Sequence, residues 1–279
     1  MGQLPAALVT GCSSGVGRAT ALALARAGYP TWATARRPDT LTDLEAAGCR
    51  VLTLDVTDEE SRARAVTAVE AEHGAVGVLV NNAGYAQVGP IEEISLDDVH
   101  RQFDTNVFGL MRMCQLVLPG MRARRGGRIV NMGSAAGLVT PPASGAYSMT
   151  KYALEALSDA LRLEVRRFGV RVVLVEPGAV RTKFMETGWA TLPSGAGPYA
   201  TFTRNVEAMA QRAHRPGARG VLTADAVAKV VVRAVTAGRP KARYPIGSQA
   251  RIAPLVRRAL PDRMWDSMML RVAPFPADD

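Results

Sequence analysis

Short apolar runs alternate with longer stretches rich in alanine and leucine along most of the chain. The apolar runs predict seven strands, over 6–10, 31–35, 51–54, 76–80, 127–132, 171–176 and 243–246. The stretches between them predict helices over 17–27, 58–73, 96–124 and 147–168. Strands separated by helices are typical of βαβ units, whose parallel sheet is covered by helices on both faces. With right-handed crossovers, the pattern predicts one α/β domain over 1–279 with a doubly wound parallel sheet.

One stretch, 178–220, interrupts this alternation. It is rich in glycine, proline, serine and threonine, with aromatic residues scattered through it. A connection of this length inside a compact domain is usually functional or mobile. It follows the sixth predicted strand, and ligands of such sheets bind at the carboxyl ends of the strands. We therefore predict a substrate lid over about 183–220, and a C-terminal extension over about 247–279.

The charge of the chain limits the classes of partner that we expect. The net charge is +9, and 21% of the 279 residues are charged. Nearly all of the positive charge is arginine spread along the sequence, a pattern typical of a solvated surface or of one that attracts anionic ligands. We find no groove-reading motif and predict no nucleic-acid partner. No apolar run approaches the length of a bilayer span, so the sequence predicts a cytoplasmic protein.

The cysteines and histidines do not form a recognisable cluster. They are Cys12, Cys49, Cys114, His73, His100 and His214. The cysteines are odd in number and contain no CxxC pair, and no histidine stands near another candidate ligand. We therefore predict neither a disulfide framework nor a metal site.

The first predicted strand runs into the glycine turn TGCSSGVG, residues 10–17. Gly11 permits a tight turn, while Gly15 and Gly17 let the backbone and the following helix approach a ligand closely. The free N–H groups at the start of that helix favour an anion such as a pyrophosphate. The spacing therefore indicates a dinucleotide site, although an ordinary strand-to-helix turn also accounts for it.

The end of the second strand bears on which dinucleotide is bound. Enzymes that use NAD usually place an acidic residue there, to accept hydrogen bonds from the adenosine ribose. This chain has Ala35 at that point, followed by Arg36 and Arg37. An arginine fork suits a 2′-phosphate, and Ser13 could add a hydroxyl donor. The sequence thus favours NADP(H) over NAD(H), unless the two arginines are simply further surface charges.

A tyrosine and a lysine begin the fourth predicted helix. Tyr147 and Lys151 lie one helical turn apart, so they share a face. A nearby ammonium favours the phenolate and lowers the tyrosine pKa, which suits proton exchange with a carbonyl or alcohol oxygen. The hydroxyl of Ser134, just past the fifth strand, could hold the same oxygen. Taken alone, the pair could equally be an ordinary contact on a helix surface.

The order of several motifs along the chain favours a catalytic role for Tyr147 and Lys151 over an ordinary surface contact. TGCSSGVG is followed by LDVTD (54–58), NNAG (81–84), Asn106 in DTNVFG, the Ser134, Tyr147 and Lys151 set, and EPGAVRT (176–182). From about residue 6 to 182, the chain resembles the short-chain dehydrogenase/reductase family. TGCSSGVG with ATAR is most similar to the hydroxysteroid and retinol dehydrogenase branch, which favours NADP(H).

The resemblance implies a Rossmann-type sheet and a role for each motif residue. Tyr147 would be the general acid in reduction and the general base in oxidation. Lys151 would lower its pKa and hold the nicotinamide ribose, Ser134 would orient the carbonyl, and Asn106 would hold a water of the proton relay. Asp55 and Val56 would contact adenine, Asn82 would steady the central sheet, and Pro177, Gly178 and Thr182 would border the nicotinamide. The implied cofactor-binding set is Gly11, Ser13, Ser14, Gly15, Val16, Gly17, Arg36, Arg37, Asp55, Val56, Asn82, Ala83, Gly84, Tyr147, Lys151, Pro177, Gly178, Val180 and Thr182.

These roles predict hydride transfer between NADPH and a hydrophobic ketone, aldehyde or secondary alcohol. Two alternatives stay open: a redox sensor that binds NADP(H) without turnover, and an epimerase or dehydratase of the same fold. The predicted substrate pocket consists of Val139, Ser144, Met185, Trp189, Tyr199 and Phe202. Several of these side chains could instead pack into the core or into a subunit interface.

Two further surfaces suggest partners. The resemblance implies a homodimer or homotetramer formed through the helices at 96–124 and 147–168. The tail at 250–274 is basic and partly amphipathic. We predict that its apolar residues cover the domain or a neighbouring subunit, with contact to an anionic membrane surface as the alternative.

Overall fold

The structure is a computed structural model that describes residues 4–193, 197–215, 218 and 220–272. Parts of the predicted lid (194–196, 216–217 and 219) and of the predicted extension (273–279) lie outside the described residues. The strands are β1 (Ala7–Val9), β2 (Thr31–Ala35), β3 (Arg50–Thr53), β4 (Val78–Asn81), β5 (Gly127–Met132), β6 (Val170–Pro177), β7 (Val180–Arg181), β8 (Leu222–Thr223) and β9 (Arg243–Ile246). The helices are α1 (Gly15–Arg26), α2 (Thr42–Ala46), α3 (Glu59–His73), α4 (Leu96–Phe103), α5 (Leu110–Ala123), α6 (Gly145–Val165), α7 (Lys183–Trp189), α8 (Ala200–His214), α9 (Ala224–Thr236), α10 (Ser248–Arg251), α11 (Ala253–Ala259) and α12 (Asp262–Val272).

In the described part of the chain, seven strands form one parallel sheet in the order β3-β2-β1-β4-β5-β6-β9. This confirms the predicted doubly wound α/β fold. The chain moves outward from β1 to β3 and then crosses back to β4, which lies on the other side of β1. The order reverses between β1 and β4, and ligands of such sheets bind at the carboxyl ends of the strands beside this point. The glycine turn after β1 and the loop after β4 both lie there.

Helices cover both faces of the sheet, as the alternating pattern predicts. One face packs against α1 and α9, through side chains such as Leu24 and Val231. The other packs against α3, α5 and α6, through side chains such as Val69, Met113 and Leu154. The strands β1, β2 and β4 are buried on both sides and therefore read as continuous apolar runs, whereas the edge strands β3 and β9 are only partly buried. Helix α9 was not among the predicted helices, although its buried residues recur at helical spacing.

The prediction of one continuous helix over 96–124 is wrong, because the helix is interrupted near its middle. A π-helical turn, Asp104–Gly109, separates α4 from α5. A Cβ on Gly109 would lie 2.4 Å from the carbonyl oxygen of Val56, so only glycine lets the helix approach the strand connection this closely. A π turn adds one residue to the helical repeat, and here it carries Asn106, which is 1% exposed.

Candidate active site

The glycine turn builds a cradle at the start of α1. Gly11 and Gly15 have φ values of +72° and +60°, where side chains cause strain. A Cβ on Gly17 would lie 2.3 Å from Nδ2 of Asn82 and 2.4 Å from the carbonyl oxygen of Gly11. The N-cap residue Ser14 makes no side-chain capping bond, and the first turn of α1 carries no acid. The N–H groups of this turn are therefore suited to a pyrophosphate.

A threonine that the sequence analysis did not single out fixes this cradle to β4. The Thr10 hydroxyl accepts hydrogen bonds from the N–H groups of Asn82 and Ala83, both at 2.9 Å. Nδ2 of Asn82 donates to the carbonyl oxygens of Thr10 (2.9 Å) and Gly11 (3.1 Å). A Cβ on Gly84 would lie 2.9 Å from Oδ1 of Asn106, so this loop also packs closely on the π turn.

The end of β2 presents the two arginines to solvent. Ala35 is buried, while Arg36 and Arg37 are exposed. In the described part of the chain, their guanidinium groups make no hydrogen bond or ion pair. They are therefore available to an anionic ligand at the carboxyl end of β2.

Asp55 lies near Arg36 but is already engaged. Burial raises its pKa, but the N–H and hydroxyl of Thr57 (2.9 and 2.7 Å) and the charges of Arg36 and Arg62 together hold the pKa below its ordinary value. Val56, the next residue, is buried at 7% exposure. The carboxylate of Asp55 thus shapes the turn after β3.

The predicted catalytic residues meet at the carboxyl end of β5. Ser134 follows that strand, and its hydroxyl lies close enough to the Tyr147 hydroxyl to act on the pKa of the tyrosine. Nζ of Lys151 donates to the carbonyl oxygen of Met132 at 2.7 Å and lies 5.6 Å from the centre of the Tyr147 ring. Lys151 is only 7% exposed. The tyrosine and lysine are therefore not an ordinary pair on a helix surface.

The predicted lowering of the Tyr147 pKa is wrong. Burial raises the pKa of Tyr147 to about 12, although the hydrogen bond from Ser134 acts in the opposite direction. Burial also lowers the pKa of Lys151 to about 8, because the ammonium loses solvation. Loss of solvation is the main influence on the pKa of both groups, and spacing along a helix does not reveal burial.

Asn106 is held in a buried network next to these residues. Its Nδ2 donates to the carbonyl oxygen of Tyr85 (2.9 Å) and to the hydroxyl of Thr150 (3.2 Å), and its Oδ1 accepts from the N–H of Tyr85 (3.1 Å). The Thr150 hydroxyl donates to the carbonyl oxygen of Tyr147 at 2.7 Å. Gln102, fully buried, donates to the same Tyr85 carbonyl at 3.1 Å. These hydrogen bonds fix the π turn against α6, the helix that carries Tyr147 and Lys151.

The segment after β6 closes the far side of the cradle. The N–H of Gly178, which follows Pro177, donates to the carbonyl oxygen of Ile246 at 2.9 Å. Val180 continues into β7, and the Cγ2 atom of Thr182 would lie 3.1 Å from a Cβ on Gly15. The predicted nicotinamide border therefore stands directly against the glycine turn.

The predicted lid is largely helical where it is described, as α7 and α8. Phe184 of α7 packs edge-on against Tyr147, with 5.7 Å between the ring centres. Tyr199 and Phe202 line a cavity of about 400 Å³ together with Trp265 and Met269 of α12. The other predicted pocket residues do not line this cavity: Val139, Ser144, Met185 and Trp189. The sequence analysis expects the apolar residues of the tail to cover the domain or a neighbouring subunit, and in the structure Trp265 and Met269 line this cavity.

Three observations bear on metals, thiols and membranes. Among the described residues, no three histidine, cysteine, aspartate or glutamate side chains come together as metal ligands. The three cysteines are buried free thiols. None of the described helices has both the length and the apolar character to cross a bilayer.

Comparison with known proteins agrees with this geometry. The family model for short chain dehydrogenase matches residues 5–192. The chain is 36% identical to the oxidoreductase YbbO of Escherichia coli K12, over 94% of this chain and 93% of that protein. It is 32% identical to an NADPH-dependent 3-dehydrocapnine reductase of Ornithobacterium rhinotracheale (95% and 96%) and 34% identical to human retinol dehydrogenase 5 (96% and 89%).

Solved structures give the same result. A short-chain dehydrogenase from Streptomyces avermitilis superposes with a TM-score of 0.80 at 35% identity, covering 95% of this chain and 97% of that one. A serine dehydrogenase in complex with NADP+ has a TM-score of 0.74 at 29% identity, covering 86% and 94%. Members of this family bind a nicotinamide cofactor. The chain belongs to the short-chain dehydrogenase family, and it is an oxidoreductase that acts on CH–OH or C=O groups.

Proposed function

We propose that this protein reduces an apolar ketone or aldehyde with NADPH, and oxidises the corresponding alcohol in reverse. The observation that carries the proposal is that the side chains of Ser134 and Tyr147 meet beside the buried Lys151. This set lies at the carboxyl end of the sheet, on the same side as the glycine cradle. A dinucleotide in the cradle would face these hydroxyl groups.

Each residue of the set has a distinct task in this reaction. The Ser134 hydroxyl donates to the carbonyl oxygen and orients it. The Tyr147 hydroxyl gives its proton to that oxygen, and the Lys151 ammonium stabilises the phenolate that forms. When bound, the nicotinamide supplies the hydride. Phe184, packed on the tyrosine ring, helps α7 to exclude water from the reacting atoms.

Three features support NADPH rather than NADH. No acid stands at the end of β2, and Arg36 and Arg37 extend from it without ion-pair partners among the described residues. One relative is named an NADPH-dependent reductase, and the serine dehydrogenase structure contains NADP+. A guanidinium that pairs with the 2′-phosphate would discriminate between the cofactors, because NADH lacks that group.

Replacing both arginines, Arg36→Ala with Arg37→Ala, should raise KM for NADPH about 10- to 100-fold and change KM for NADH little. A hydrogen bond to a charged group contributes about 1.5–3 kcal/mol, which corresponds to this range. Steady-state kinetics with each cofactor measure the two KM values. Arg171→Ala, exposed at the amino end of β6, is the matched control and should change neither KM. Equal losses for NADPH and NADH would contradict the assignment.

The proposed function itself is tested by NADPH oxidation over a panel of apolar ketones and aldehydes, with product analysis. Stoichiometric conversion of carbonyl to alcohol would support it. Product formation without net consumption of NADPH would point to an epimerase or dehydratase instead. Tight NADPH binding without turnover across the panel would favour the sensor.

We also propose that the protein forms a homodimer or homotetramer through α4, α5 and α6. These helices and the π turn expose several large apolar side chains: Leu96, Phe108, Met111, Met149, Tyr152 and Leu163. Exposed apolar groups concentrated on neighbouring helices are typical of a protein interface.

Phe108→Asp should convert this oligomer to monomers. Phe108 is 52% exposed, and burying a carboxylate in an apolar contact costs several kcal/mol. Light scattering coupled to size exclusion measures the mass. Leu255→Asp, on α11 and 68% exposed, should leave the mass unchanged. A wild-type monomer at micromolar concentration would refute the proposed interface.

A further inference from the structure

The cavity of about 400 Å³ lies between four segments that are far apart along the chain. Its walls are residues 89–91 after β4, the loop that leads into α6, the start of α8, and the inner side of α12. Its volume falls within the range of small-molecule sites in proteins, about 300–1,000 Å³. The cavity is therefore large enough to hold part of a substrate.

The walls of this cavity suit an apolar ligand. Pro90, Pro141 and Pro142 line it, and proline offers no backbone N–H to a ligand. The hydroxyl of Tyr199 is already engaged, since it donates to the carboxylate of Glu92 at 2.6 Å. Thr140 and Asp266 add a hydroxyl and a carboxylate to the lining, but most of the surface offered to a ligand is apolar.

The cavity lies at the N-terminus of α6, the helix that carries Tyr147. Gly145 lines it two residues before Tyr147, and a Cβ on Gly145 would lie 2.6 Å from Cδ1 of Ile91. The carbonyl oxygen of Ala143 accepts a hydrogen bond from the N–H of Gly89 at 2.8 Å. These contacts hold two walls of the cavity together at the N-terminus of α6. A substituent that extends from the reacting carbon toward the N-terminus of α6 would enter the cavity.

Helix α12 turns one large side chain inward. Trp265 is 7% exposed, whereas Met264 and Leu270 on the same helix are 57% and 53% exposed. The guanidinium of Arg257 stacks over the indole ring at 5.6 Å and pairs with Asp262 at 2.6 Å. Because this ion pair joins α11 to the start of α12, the indole is fixed as the outer wall of the cavity.

We propose that the cavity is an outer subsite for the apolar substituent of the substrate, and that Trp265 and Met269 set how long a substituent it accepts. The substrate class is then ketones, aldehydes or alcohols whose alkyl or ring substituent extends several carbons beyond the reacting carbon. This inference rests on the proposed function, because it names the substrate class of the same active site.

The first experiment compares 2-butanone, 2-octanone and 2-dodecanone as substrates with NADPH. In the wild type, kcat/KM should rise about 10- to 100-fold along the series, which is the gain expected when two or three more methylenes of the chain are buried in the cavity. Trp265→Ala opens the wall and Met269→Trp fills the cavity. Each should lower kcat/KM for 2-dodecanone about tenfold more than for 2-butanone, mainly through KM. Met264→Ala, at the exposed neighbouring position, is the matched control and should keep the wild-type rise.

A second experiment measures binding without turnover. 12-Bromododecan-1-ol carries a heavy atom that quenches tryptophan fluorescence on contact. Bound in the cavity, it should quench the wild-type protein and Trp32→Phe, whose indole packs against His73 on the sheet. It should not quench Trp265→Phe to the same extent, because the indole at the cavity is then gone.

The two experiments separate the two proposals. Quenching that depends on Trp265, without ketone reduction, would support the subsite and overturn the proposed reaction. Ketone reduction without chain-length dependence and without this quenching would overturn the subsite and leave the reaction standing. A loss in Met264→Ala equal to that in Trp265→Ala would also overturn it, because an exposed side chain does not line the cavity.

Discussion

Tyr147→Phe is expected to lower kcat for NADPH-dependent reduction about a thousandfold while leaving the affinity for NADPH within about twofold. The change removes one hydroxyl and keeps the ring that packs against Phe184. Positioned general acids contribute about 10²- to 10⁴-fold to rate, and the Tyr147 hydroxyl is the acid that lies near Ser134 and Lys151. Steady-state kinetics and calorimetric titration with NADPH measure the two quantities.

Tyr152→Phe is the matched control, since Tyr152 lies on the same helix but is 45% exposed. It should retain wild-type turnover. Wild-type turnover in Tyr147→Phe would remove the tyrosine from the mechanism. An equal loss of NADPH affinity and of rate would instead mean that the ring or hydroxyl acts mainly in cofactor binding.

The same assignment predicts the pH dependence of the wild-type enzyme. With a pKa near 12, Tyr147 is protonated through neutral pH, which is the form that reduction requires. Lys151, with a pKa near 8, is charged below that pH and loses its charge above it. Reduction should therefore decline as pH rises through about 8, because the forming phenolate loses its ammonium partner. Oxidation needs the phenolate and should increase as the pH rises.

The pattern of apolar runs along the sequence predicted most strands of the sheet. The predicted strands over 31–35, 127–132 and 243–246 coincide with β2, β5 and β9, and the other four differ by no more than two residues at either end. The central strands are buried on both faces, so their apolar runs end where the chain leaves the core, while the edge strands β3 and β9 are only partly buried. The valine-rich α9 went undetected, because short apolar runs do not distinguish a buried helix from a strand.

The features that were missed depend on contacts between distant parts of the chain. The π turn that carries Asn106 requires the close approach of Gly109 to Val56. The raised pKa of Tyr147 reflects burial, which the four-residue spacing to Lys151 does not report. Motif order brought the candidate catalytic residues to attention, but only the packing of α12 on the loop before α6 shows that Trp265 lines a cavity.

Gly17→Ala should weaken NADPH binding by at least about a hundredfold. The added Cβ would lie 2.3 Å from Nδ2 of Asn82 and 2.4 Å from the carbonyl oxygen of Gly11, well inside normal contact distance. The Gly11 carbonyl belongs to the turn itself, so the clash can be relieved only by moving the N–H groups that would hold the pyrophosphate. Helix propensity acts in the opposite direction, because alanine favours a helix over glycine by about 1 kcal/mol. A loss of NADPH affinity in Gly17→Ala therefore reports the clash.

Gly238→Ala isolates this effect, because a Cβ at Gly238 meets nothing within 4 Å and its φ lies outside the left-handed region. This control should bind NADPH like the wild type and change the free energy of unfolding by less than about 0.5 kcal/mol. Gly17→Ala should also lower that free energy by about 1–3 kcal/mol, as overpacking does. Calorimetric titration and urea denaturation measure both. If Gly17→Ala bound NADPH normally, the dinucleotide would have to lie away from the turn, and the site would need another anion-binding surface to hold it.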